Sequence, residues 1–175
     1  MRPRKRTSAT RAARLLDDHA EAYVFDAQVS KLIRLANRLP EEAWCRFPRL
    51  CIYYAWALQF EYQLETAEAA LTCAEAHLDA TAAGASPAAT FSASQIAHHA
   101  RAVRVYMAVQ RGEPERVIAL ARAALQALPE DAADEPPVVR GAVTLGHIAT
   151  VEDTFTVLPA ASADTVSLWM ARTYR

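Results

Sequence analysis

Residues 48–79 read PRLCIYYAWALQFEYQLETAEAALTCAEAHLD and residues 98–131 read HHARAVRVYMAVQRGEPERVIALARAALQALPED; these two stretches decide the fold, because they spell one helix-turn-helix twice. In each, an apolar helix of about four turns meets a short polar break. A second helix follows, with small residues three and four positions apart that let two helix backbones pack closely. This is the pattern of a helical repeat.

The pair fits the register of the 34-residue tetratricopeptide pattern, which places a small residue where two helices cross, then a turn, then Ala, a large apolar residue, Ala and Pro. With Ala67 at the first alanine position, Ala55 falls at the crossing, Leu58 in the core, Tyr62 in the turn, Leu71 at the large apolar site and Ala74 at the second alanine. In the second copy Gly112 takes the turn, Val117, Ala121 and Ala124 follow at the same offsets, and Pro129 is the terminating proline. Ala67 and Val117 lie fifty residues apart, so the copies are separated by an insertion. DATAAGASPAATFS, residues 79–92, absorbs it: rich in Ala and Ser and without an apolar stripe, it reads as a loop.

At 175 residues the chain is long enough for one domain with one core. Only four glycines occur and β-branched alternation is scarce, so the composition predicts an all-α protein. The formal net charge of -1 supplies no overall field to recruit nucleic acid or an anionic membrane. Three cysteines at uneven spacing form neither a disulfide framework nor a zinc pattern, which points to a reducing cytoplasm.

Residues 1–14, MRPRKRTSATRAAR, are basic without an acid among them, and no apolar run follows to make a secretory signal. They read as a solvated tail or linker; a phosphate-contacting arm would interleave aromatic residues with the charges, and here there are none. Residues 15–47 read as a helical hairpin and a short helix leading into the repeats. Leu15, Leu16, His19, Ala20 and Tyr23 or Val24 form one stripe; Asp26 is placed to cap a second helix bearing Val29, Leu32, Ile33, Ala36 and Leu39. Pro40 restarts a helix with Glu41 and Glu42 in its first turn, where the dipole favours acids, and Pro48 opens the next.

The run RLLDDHAEAYVFDAQVSKLIRLANRLPEEAWCRFPRLCIYYAWAL, followed by RAVRVYMAVQRGEPERVIALARAALQALPED, resembles the tetratricopeptide-like region of large LuxR-family regulators of the MalT type. The matching elements are a hairpin ending in Leu39-Pro40, the helix opening Pro48-Arg49-Leu50, Ala55-Trp56-Ala57, the Ala67/Ala70/Leu71/Ala74 helix and Arg111-Gly112-Glu113-Pro114-Glu115-Arg116, within residues 12–146. In that family a nucleotide-binding domain precedes the repeats and a helix-turn-helix follows. This chain has no G-x-x-x-x-G-K-[ST] and no recognition helix at its end, so the resemblance implies one internal module of a regulator, excised or encoded alone. DNA binding would then come only through domains absent from this chain.

The resemblance implies a sensing or docking role in transcription regulation. Tetratricopeptide hairpins stack into a right-handed superhelix whose first helices line a concave face, which takes a peptide, a protein or a small-molecule effector. The register puts Arg49, Ile52, Trp56, Gln59 and Phe60 on that face from the first copy, and His99, Ala102, Tyr106, Val109 and Gln110 from the second. The aromatic rings among them equally fit a core packed between helices. Arg101 and Arg104 stand where the plain repeat has apolar residues; they are candidate anion contacts, or else pair with acids such as Glu113 or Glu115.

Catalysis finds no support in the residues. His98 and His99 point about 100° apart on a helix, which is poor geometry for one shared site. HExxH and Cys-x-x-Cys are absent, so neither a metal nor another cofactor is expected. Cys45, Cys51 and Cys73 read as small buried hydrophobes, and Asp17-Asp18 and Glu41-Glu42 as solvated or dipole-compensating acids.

The expected architecture is an all-α superhelix of about seven to nine helices. Its repeats span residues 48–131, and residues 132–175 supply a partial third hairpin and a C-terminal capping helix built on Val166, Trp169 and Met170. If that cap does not fold back, its apolar surface drives self-association. A stand-alone protein–protein interaction scaffold without a small-molecule ligand is the competing reading.

Overall fold

The structure, a computed structural model, describes residues 3–82 and 91–127, with side chains described for residues 7–77 and 91–123. All of its regular structure is helical: α1 (Pro3–Phe25), α2 (Val29–Ala36), α3 (Glu41–Trp44), α4 (Pro48–Phe60), α5 (Leu64–Ala82), α6 (Ala93–Arg111) and α7 (Pro114–Ala127). No strand occurs among the described residues. Of the expected repeats, Pro129 and the region 132–175 lie outside them.

Three helix pairs share one turn. At the end of α4 the Gln63 N–H donates to the Leu58 carbonyl at 2.9 Å and the Tyr62 N–H to that of Gln59 at 3.1 Å. At the end of α6 the Glu113 N–H reaches Ala108 and the Gly112 N–H reaches Val109, at 3.1 and 3.0 Å. At the end of α1 the Gln28 N–H reaches Tyr23 at 2.7 Å and the Ala27 N–H reaches Val24 at 3.3 Å. Each is a Schellman closure, which turns the chain through one left-handed residue: Ala27 at φ 56°, Tyr62 at φ 58° and Gly112 at φ 67°. The first hairpin is thus built like the two copies legible in the sequence.

The burial pattern repeats with the turns. Ala20, Ala55 and Val105, each seven residues before its left-handed turn residue, are fully buried on the first helices, and Ala36, Leu71 and Ala121, each nine residues after it, are fully buried on the second. α4 is buried almost all round and packs against α1, α2, α5 and α6, which puts it at the centre of one continuous core.

The helix ends follow local chemistry. Ser92 and Gln95 form a reciprocal capping box at the start of α6, and Pro48 takes the first position of α4, where its missing N–H costs nothing. The α4 N-cap, Phe47, offers no side-chain acceptor; the carboxylate of Asp17, from α1, lies near the Leu50 N–H in the first turn of α4, with its Oδ1 buried and unpartnered. Asp17 is buried there, and burial raises the pKa of its carboxyl above its ordinary value despite the Leu50 N–H and the nearby Arg49.

Several expectations are corrected here. Residues 3–14 are the first turns of α1 rather than a tail, with Ala13 buried, because the alanines and arginines there continue the helix without a breaker. Asp26 does not cap α2: the left-handed residue at Ala27 delays the start to Val29, with Gln28 as an N-cap whose side chain makes no capping bond. Residues 79–82, read as the start of a loop, belong to α5, which runs to Ala82, and residues 83–90 lie outside the described ones. Asp17 is buried, not solvated. Cys45 and Cys73 are not separate small hydrophobes but a disulfide, with Cα atoms 5.3 Å apart, while Cys51 is a buried thiol. Unequal spacing along the chain conceals a pair that packing brings together, and the inference of a reducing compartment loses its basis.

Candidate functional site

The two rows assigned to a concave face meet each other. α4 packs directly on α6, so Trp56 lies edge-on to Tyr106 with ring centroids 5.4 Å apart. The Trp56 indole N–H donates to His99 Nδ1 at 3.3 Å, and Gln110 Nε2 donates to the Gln59 carbonyl at 3.1 Å. Ile52, Trp56, Gln59, His99, Ala102 and Tyr106 are all buried in this seam, Trp56 and His99 to 1% exposure. Phe60, Val109 and Gln110 are half-buried at one end of it, and Arg49 at the other.

The seam carries more polar capacity than it satisfies. His99 Nε2, Gln59 Oε1 and Gln110 Oε1 are buried without a partner. Because the Trp56 N–H occupies Nδ1, the neutral ring of His99 holds its proton on Nε2. Burial, with His98 adding to it, lowers the imidazole pKa from 6.5 to about 4.

The open end is organised around Arg49. Its guanidinium donates to Glu21 of α1 at 2.7 Å and lies 5.8 Å from the centroid of the Tyr53 ring and 6.0 Å from that of Phe91. Phe91 in turn stacks on His99 at 5.2 Å, and Tyr53 meets His99 edge-on at 5.9 Å. Burial, followed by the charge of Glu21, pushes the Tyr53 hydroxyl well above its ordinary pKa, so it remains a neutral donor. A cation held between aromatic faces, with one carboxylate partner and further N–H donors of its own, can receive a carboxylate or phosphate oxygen.

Of the residues the sequence singled out, Arg49 and His99 belong to this corner. Glu21, Tyr53 and Phe91 complete it and were not anticipated. Phe91 carries a signal: it stands just before the Ser92-x-x-Gln95 capping box, the position at which an apolar residue often packs back onto the helix it precedes. Glu21 carries no such signal, since its role depends on how α1 lies across α4.

Arg104 pairs with acids, as one of the two expectations had it, but with other partners than Glu113 or Glu115. It forks onto Glu68 and Glu75 of α5, with its closest contacts at 2.6 Å to each, while Glu113, in the turn before α7, pairs with Arg116. Two carboxylates already compensate its charge, and hydrogen bonding to Glu75 leads the causes that raise its pKa further. Arg104 therefore clamps α5 to α6 and has no charge to spare for an incoming anion. Arg101 is half-buried on the same helix.

A cleft of about 400 Å³ lies between α1 and α2, lined mainly by Leu15, Leu16, Tyr23, Leu35 and Leu39, with His19 and Arg38 at its polar margin. Leu15 is exposed there although large and apolar. Among the described residues no helix is long and apolar enough to cross a membrane. No family model matches the chain, and neither curated proteins nor solved structures provide a match.

Proposed function

We propose that the chain is a binding module, a tetratricopeptide-like superhelix that senses a ligand or docks a partner within or beside a LuxR/MalT-type transcriptional regulator. The observation that carries this reading is the threefold use of one hairpin: the same left-handed turn at Ala27, Tyr62 and Gly112, with α1, α4 and α6 packed side by side. Stacked hairpins of this kind present their first helices as a continuous surface for recognition. The closed α4–α6 seam makes the Arg49 corner the point of entry, and its chemistry suits an anionic group on a ligand that also brings apolar surface to Phe91 and Tyr53.

The test is a thermal-shift screen of the full chain against sugars, nucleotides and short peptides, alongside light scattering. A ligand bound only to the folded state raises the melting temperature with concentration. One class should do so, and Arg49→Ala should abolish the shift while far-UV circular dichroism stays helical. An undiminished shift in Arg49→Ala would remove the corner from the account.

The exposed Leu15 cleft favours a second reading, an interaction scaffold that binds another helix and no small molecule. In that case no ligand class shifts the melting temperature, scattering reports a dimer or larger species, and Leu15→Glu restores the monomer.

A further inference from the structure

We propose that Cys45, Cys73 and Glu41 form a redox-gated site for a thiophilic divalent cation, with zinc the natural occupant. The three ligand atoms, two sulfurs and a carboxylate oxygen, lie within 4.8 Å of one another. Glu41 opens α3 and Cys45 is its C-cap, one turn on, where the Cys45 N–H closes onto the Glu41 carbonyl at 2.9 Å. Cys73 comes from α5, so the set joins two elements and is fixed by the fold rather than by a local loop.

The donor set matches zinc, which takes thiolate and carboxylate ligands tetrahedrally with metal–sulfur bonds of about 2.3 Å. Both cysteines are half-buried and Glu41 is exposed, so the site is dry on one side and reachable from the other. Three protein ligands leave a fourth position open to water.

The disulfide is the closed state of this site. A dithiol reductant donates two electrons and two protons, leaves as its own disulfide, and converts the Cys45–Cys73 bond into two thiols. The cation then displaces both thiol protons to solvent and is held by two thiolates and the Glu41 carboxylate. Oxidation and metal loading exclude each other because both use the same sulfur electron pairs. The proposal does not depend on the Arg49 corner.

Cobalt(II) is the probe, since thiolate-bound cobalt absorbs in a way that cobalt held only by oxygen and nitrogen does not. The full chain, reduced with dithiothreitol and freed of it under argon, is titrated with cobalt and then with zinc. The expected result is a thiolate-to-cobalt band saturating at one equivalent, bleached by zinc, and absent from the oxidised protein. Cys45→Ser and Cys73→Ser abolish the band, Cys51→Ala retains it, and Glu41→Gln, an exposed change that spares the fold, weakens binding on the order of tenfold or more. The proposal is overturned if the reduced wild-type chain shows no such band, whether folded or unfolded by circular dichroism. Equal affinity in Glu41→Gln, or an undiminished band in either serine variant, overturns it as well.

Discussion

His99 shows how one contact fixes a residue's chemistry. Its Nδ1 accepts the Trp56 N–H, its ring is enclosed by Phe91 and Tyr53, and a second proton, which must go to Nδ1, would break that bond and leave a buried charge whose Nε2–H also lacks a partner. The folded pKa, about 4, lies below the ordinary 6.5. Between those values the unfolded chain binds a proton at His99 that the folded chain does not, so the stability from keeping it neutral is complete above pH 6.5 and is lost as pH falls towards 4. The loss is on the order of 3 kcal/mol for a shift of this size. Urea unfolding from pH 7 to pH 4 should show the decline, and His99→Gln, which keeps an acceptor for Trp56 without a titrating group, should flatten it. Asp17 acts in the opposite sense, since its raised pKa makes the folded state the better proton binder at acid pH. A profile equally steep in His99→Gln would assign the acid sensitivity elsewhere.

At the scale of elements, the three Schellman turns make a graded experiment. Glycine adopts the left-handed region without penalty, whereas Tyr62 and Ala27 occupy it with a Cβ. Tyr62 is 54% exposed, so its ring contributes little burial. Tyr62→Gly is expected to stabilise the chain by about 1 kcal/mol, and Gly112→Ala to destabilise it by a similar amount. At Gly112 an added Cβ would meet nothing within 4 Å, so that loss reports the backbone alone. Chemical denaturation of the two variants checks both signs; stabilisation by Gly112→Ala would contradict the assigned turn.

Those turns also show what the sequence makes legible. α4 to α7 can be read from it because Pro48, Gly112 and Pro114 punctuate a clear apolar pattern, and Ala55, Leu58, Ala67, Leu71 and Ala74 are buried where that pattern puts them. The first hairpin hides its kinship behind Ala27, which gives no turn signal, so Asp26 is taken for a cap that the chain does not use. Arg104 and the Cys45–Cys73 pair depend on which faces of neighbouring helices meet, a matter of packing that residue spacing along one helix does not encode. The seam residues illustrate the same boundary: a stripe of Trp56, His99 and Tyr106 specifies that two helices have apolar faces, and packing decides that those faces close on each other.

For the whole molecule, the account depends on α1 and α2 being a third hairpin in one stack rather than an appendage. α1 lies against α4, α2 also reaches α4, and Glu21 and Arg49 join the first hairpin to the second through an ion pair. Surface ion pairs contribute little, so the shared core of Ala13, Leu16, Ala20, Leu32 and Ala36 with α4 must supply most of that attachment. The Arg49 corner exists only while the two hairpins are joined, because Glu21 and Arg49 come from different ones. Nearest-neighbour contacts of this kind make hairpins in a stack open together when their interface is strong and separately when it is weak.

Native-state hydrogen exchange of the full chain, followed by mass spectrometry of peptides covering α1, α2, α4 and α6, tests this most directly. The account predicts that amides in the middle of α1 and α2 exchange with opening free energies close to those of α4 and α6, as parts of one cooperative unit. Exchange of α1 and α2 at the rate of an unstructured chain, with α4 and α6 still protected, would contradict it and leave the Arg49 corner without one of its walls.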